Sequence, residues 1–89
     1  MQIVYFTGPN CTYCKVALPS VMSYAQRKGA SVVTVNADKE TNKDSEKALV
    51  AEYGVWGVPV MAIIMPGVTQ EPTVLRDYHD IMRFTRNED

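Results

Sequence analysis

Two cysteines separated by two residues, Cys11 and Cys14, stand where a run of strand formers gives way to a helical pattern. That junction constrains the fold, because it sets the pair at the mouth of a helix directly after a strand. Ahead of it, Ile3, Val4, Tyr5 and Phe6 form an unbroken apolar run. Such a run predicts a short strand over residues 2–6 that is covered on both faces. Thr7-Gly8-Pro9-Asn10 breaks it, and Asn10 is placed to cap the next helix. Beyond the pair, Val16, Ala17, Val21, Tyr24 and Ala25 recur at helical spacing, joined by Leu18 and Met22. They predict a helix from Thr12 to about Lys28, stopped by Gly29. Pro19 falls inside it, where it has no N–H to donate and should kink the axis.

The rest of the chain alternates in the same way. Val32, Val33 and Val35 predict a strand over residues 31–35, and the strand–helix–strand unit makes it parallel to the first. Leu49 and Tyr53 share a face of a helix starting near residue 44 or 45 and ending before Gly54. A third strand is expected over 60–65, a turn at Pro66-Gly67, and a short antiparallel strand over 73–76. Residues 77–86 read as a closing helix packed through Tyr78, Ile81, Met82 and Phe84; the methionines are read as core filler. The order β-α-β-α-β-β-α calls for an α/β domain with a mixed four-stranded sheet and helices on both faces. One domain is all that 89 residues allow.

Nine basic and ten acidic side chains give a net charge of −1, without a like-charged block. A nucleic-acid arm or membrane-binding face is therefore not expected. No stretch approaches the roughly 20 apolar residues of a membrane span. The first residues lack the basic start of a signal peptide. The expected setting is the cytoplasm, where a permanent disulfide is disfavoured. A close cysteine pair there is catalytic or metal-binding. Zinc wants four ligands, and one chain offers two cysteines and His79. Two inert core cysteines are the other bland alternative. The catalytic reading has the better physical footing. A helix mouth favours an anion, and Lys15 adds positive charge, so the Cys11 pKa should fall below the value of about 8.5 of a free cysteine. Cys14, nearly a turn deeper, stays protonated until needed. Cys11 then attacks a substrate disulfide, and Cys14 resolves the mixed disulfide.

With Cys11-Thr12-Tyr13-Cys14-Lys15, Pro19 eight residues past Cys11, and Tyr53-Gly54-Val55-Trp56-Gly57-Val58-Pro59 quoted together, the whole chain resembles the thioredoxin and glutaredoxin superfamily in a short form. The resemblance implies a thioredoxin-like fold and a redox-active Cys11–Cys14 pair. It also implies a cis Val58–Pro59 bond beside the cysteines, with backbone groups there for an extended substrate strand. Tyr13, Trp56, Val58 and Pro59 are the expected substrate contacts, with Trp56 either an aromatic ledge for partners or half-buried under the second helix. The implied activity is reduction of protein disulfides, those of ribonucleotide reductase among them, by a monomer with no bound cofactor. Its electrons would come from NADPH through a thioredoxin reductase, or from glutathione.

Two departures are notable. Tyr5 stands where thioredoxins carry a buried aspartate that takes the proton of the second cysteine, and Asn10 stands where they carry tryptophan. Pro9-Asn10-Cys11-Thr12-Tyr13-Cys14 is similar to the glutaredoxin motif. Yet Arg76-Asp77-Tyr78-His79-Asp80 replaces the glycine pair that seats glutathione in glutaredoxins, leaving Arg76 or Lys15 to attract its carboxylates. Asp38 is a weak substitute proton acceptor that more naturally makes a turn. His79 reads as a surface helix residue. A function of a different class is a non-catalytic binding subunit that uses the fold without the chemistry.

Overall fold

A computed structural model of the chain describes residues 1–67 and 71–87. Its elements are β1 (Gln2–Thr7), α1 (Thr12–Lys28), β2 (Ser31–Asn36), α2 (Asp44–Tyr53), β3 (Val60–Ile64), β4 (Thr73–Leu75) and α3 (Tyr78–Asn87). The sheet order is β2-β1-β3-β4. β1 pairs parallel with β2, setting Tyr5 opposite Thr34, and antiparallel with β3, setting Tyr5 opposite Met61. β3 and β4 are antiparallel, with Ala62 opposite Val74.

The apolar run of β1 has a simple cause: the strand is central and both its faces are covered. Successive side chains point to opposite faces. Ile3 and Tyr5 join Met61 and Ile63 under Ala17, Val21, Tyr24 and Ala25 of α1 and Ile81 and Met82 of α3. Val4 and Phe6 join Val35, Val60 and Ala62 on the other face, where Leu49, Val50 and Tyr53 of α2 pack against them. Phe6 meets the Tyr53 ring at 5.5 Å. Burying each such side chain is worth about 1.5–3 kcal/mol. A charge at Ile3 or Phe6 would be buried without a partner and would break the fold.

Helix ends follow the sequence closely. Gly29 (φ 65°) and Gly54 (φ 61°) take the left-handed conformation that closes α1 and α2. α1 continues through Pro19. Three expectations need correction. The N-cap of α1 is Cys11, not Asn10. Asp77 precedes α3 rather than opening it, and its carboxylate accepts the N–H groups of His79 (3.0 Å) and Asp80 (3.3 Å). Met61 and Met82 fill core and the half-buried Met1 packs against it, whereas Met22 on α1 and Met65, just past the end of β3, are exposed.

Candidate active site

β1 ends at Thr7, and Gly8-Pro9-Asn10 turns the chain into α1. Cys11 sits at the turn in extended conformation (φ −99°, ψ 101°), with its own N–H directed at the Gly8 carbonyl at 3.4 Å. Its carbonyl accepts the Lys15 N–H at 3.3 Å, which starts the helix. Its Sγ accepts the backbone N–H of Cys14 at 3.1 Å. A sulfur thus takes the place that Asn or Ser oxygen usually holds at a helix start. That is why Asn10 is not the cap: Cys11 occupies the position itself.

Cys11 and Cys14 are joined as a disulfide, with their Cα atoms 5.2 Å apart. Cys11 is half-buried and Cys14 is 1% exposed. A partner's sulfur can therefore approach Cys11 but not Cys14. Lys15 is exposed on α1 directly after the pair. The Val58–Pro59 bond is cis. Pro59 is buried and Val58 half-buried.

Val58 separates two hollows. One, of about 480 Å³, is lined by Gly8, Pro9, Asn10, Cys11, Asp38, Glu40 and Val58. The other, of about 310 Å³, lies between Tyr13, Trp56, Val58, Pro59 and the start of α3 at Tyr78 and His79. Trp56 is 86% exposed, which removes the alternative that it packs under α2. The Tyr13 ring lies 4.5 Å from that of Tyr78, and Tyr78 meets His79 edge-on at 5.2 Å. The sequence-expected contacts Tyr13, Trp56, Val58 and Pro59 are thus brought around one hollow beside the cysteines. His79 is an exposed helix residue, as expected, but it lines that hollow too.

Asp38 keeps to a turn. Its carboxylate accepts the Glu40 N–H at 3.1 Å and the Thr41 hydroxyl at 3.2 Å. Arg76 is also committed, donating to the carbonyls of Tyr53 (2.8 Å) and Gly54 (3.1 Å) at the end of α2. Tyr5 is wholly buried, and its hydroxyl donates to the Cys14 carbonyl at 2.7 Å. Burial pushes that hydroxyl's pKa up to about 12. Neither the Arg76 nor the Tyr5 contact was legible from the sequence. The one signal for Tyr5 was a phenol in an otherwise apolar central strand, which needs a partner once buried. Among the described residues, no three His, Cys, Asp or Glu side chains gather to hold a metal ion. No helix among them is long and apolar enough to cross a membrane.

Residues 1–75 match the family model described as TraF, F plasmid transfer operon protein. The chain belongs to this TraF family. No curated protein matches it. Among solved structures, thioredoxin 1 from the thermophilic eubacterium Thermosipho africanus TCF52B shares 19% identity at a TM-score of 0.70, over 93% of this chain and 88% of that chain. Thioredoxin O2 from Arabidopsis thaliana in the oxidized state shares 17% at a TM-score of 0.67, over 98% and 73%. A malarial protein shares 13% at a TM-score of 0.67, over 86% and 80%. This TraF-family chain therefore has the thioredoxin-like fold, with a Cys-X-X-Cys disulfide at the start of α1.

Proposed function

We propose that the chain is a thiol–disulfide oxidoreductase that reduces disulfides in other proteins. The observation that carries this reading is the asymmetry of the pair: Cys11 Sγ faces the Cys14 N–H at the helix mouth, and Cys14 is buried behind it. In the reduced form the same N–H and the Lys15 charge favour a thiolate at Cys11. That thiolate attacks one sulfur of a substrate disulfide. The substrate S–S bond breaks, a mixed disulfide forms, and one substrate thiolate leaves. Cys14 then gives its proton to water and attacks Cys11 Sγ. The second substrate thiolate leaves, the substrate gains two electrons, and the Cys11–Cys14 bond closes.

The substrate segment lies across Val58 and Pro59 from one hollow to the other, with an apolar side chain against Trp56 and Tyr13. A monomer working in the cytoplasm, recharged through a thioredoxin reductase with NADPH, is the favoured setting. What supports that donor over glutathione is Arg76: its guanidinium already serves two backbone carbonyls, so it is not free to seat a glutathione carboxylate. Ribonucleotide reductase is one substrate this reading accommodates. The family's transfer-operon description favours one second reading, a subunit of a DNA-transfer apparatus that uses the fold without the chemistry.

Trapping separates the two. Cys14→Ser, incubated with a disulfide-bonded protein, should accumulate a mixed disulfide through Cys11 that mass spectrometry detects, and Cys11→Ser should not. Equal labelling of neither variant, with biological function intact in Cys11→Ser, would replace the enzyme by the subunit.

A further inference from the structure

Tyr5 is packed with Ile3, Met61, Ile63, Ala17 and Val21 in the core cluster between the sheet and α1. It reaches from the sheet to the first turn of α1 and donates to the carbonyl of Cys14 itself, at 2.7 Å, with the residue 0% exposed. A weakness of this helix lies next to the bond. Pro19 has no N–H, so the carbonyl of Lys15, directly after Cys14, lacks its usual helical donor. The turn that carries the second cysteine thus borders a missing helical bond and is tied to the sheet.

We propose that Tyr5 is a positioning residue for the resolving step, fixing the Cys14 turn so that its sulfur stays within reach of Cys11 in the mixed disulfide. The inference rests on the dithiol cycle proposed above. Tyr5 touches neither sulfur's partner nor the substrate; it acts through the Cys14 backbone. It stays protonated across the working range, because burial holds its pKa at about 12, and its proton is already committed to the carbonyl. It therefore supplies placement, not proton transfer, and the Cys14 proton leaves to water. Intramolecular attack depends steeply on placement. Loss of a single bond of this kind is expected to slow the step by about 3- to 10-fold.

A small aryl disulfide reads the two steps separately. The reduced dithiol releases one aryl thiolate when Cys11 attacks and a second when Cys14 closes the ring, with both sulfurs of the reagent reduced and the pair oxidised. In Tyr5→Phe, which keeps the ring in the core, the first release should be unchanged and the second slowed. A second release as fast as in the unaltered chain overturns the proposal. Equal slowing of both phases also overturns it, since that marks general damage. An unaltered chain that releases no second thiolate overturns the dithiol cycle itself, and with it this proposal. Should Tyr5→Phe not fold, the hydroxyl can be followed in the unaltered chain. Its proton should exchange slowly with water by NMR in the oxidised form and in the Cys14→Ser mixed disulfide; fast exchange overturns the bond.

Discussion

Arg76 holds the Tyr53 carbonyl through Nη2 at 2.8 Å, and its Nη1 takes the neighbouring Gly54 carbonyl at 3.1 Å. These groups lie at the end of α2, where carbonyls lose their helical donors and a cation is favourable. The contact ties the residue after β4 to α2 and steadies the approach to Val55-Trp56-Gly57-Val58. Arg76→Ala should lower stability by about 1 kcal/mol, a value kept small by the exposure of the side chain. Denaturant titration measures it. Arg76 also lines the rim of the aromatic hollow, away from the sulfurs, so the first release from a small aryl disulfide should not change; a large loss there would give it a part in the attack by Cys11.

Trp56 offers the cleanest separation of binding from folding. It is 86% exposed, so Trp56→Ala should leave stability within about 0.5 kcal/mol. The same change should raise KM for a protein disulfide while leaving an aryl disulfide's reduction unaffected, because only the larger substrate reaches the aromatic hollow. As the chain's single tryptophan, its fluorescence should also shift on mixed-disulfide formation with a protein. An unchanged KM in the variant would remove Trp56 from the substrate surface.

Glu46 makes stability depend on acid. One carboxylate oxygen accepts the Lys43 N–H at 2.8 Å and the other the Asn36 N–H at 2.9 Å, joining the start of α2 to the end of β2. The Lys43 bond first, then the Asn36 bond, holds this carboxyl below its ordinary value of 4.5. A lowered carboxylate stabilises the fold fully above the unfolded value, and that contribution fades as pH falls through the folded one. The unaltered chain should therefore melt higher than Glu46→Gln near neutrality, with the gap narrowing below pH 4.5. A gap that stays constant from neutrality to well below that pH would contradict the two bonds.

Tyr5 sets the opposite, alkaline limit. Burial raises its pKa from 10.0 to about 12, so the unfolded chain loses that proton first. The neutral phenol's contribution is complete below pH 10 and is lost as pH rises toward about 12. Stability of the unaltered chain should fall over that window more steeply than that of Tyr5→Phe. Tyrosinate absorbance should show one late-titrating residue that the variant lacks. Parallel alkaline losses in both chains would contradict the buried bond.

Much of this architecture was legible in the sequence. The unbroken run Ile3–Phe6 announces a strand buried on both faces, and Gly29 and Gly54 close their helices where expected. The Cys11–Cys14 pair and the cis Val58–Pro59 bond are present as the resemblance implied, and Cys11 and Val58 line one hollow. What stayed hidden depends on tertiary distance. The Arg76 contact spans more than twenty residues and has no local pattern. Asn10 offers good capping chemistry, but the sulfur of Cys11 lies where the cap must be, and geometry outranks propensity there. Trp56 could be read as core or surface from its type alone; only its place on the loop between Gly54 and Pro59 decides.

An equilibrium titration of the Cys11–Cys14 couple against glutathione or dithiothreitol tests the reductase most directly. A reductase of this kind should have a potential between about −270 and −200 mV. A value above about −150 mV would mark a pair that donates its disulfide rather than its thiols, and would contradict the proposed direction of the reaction.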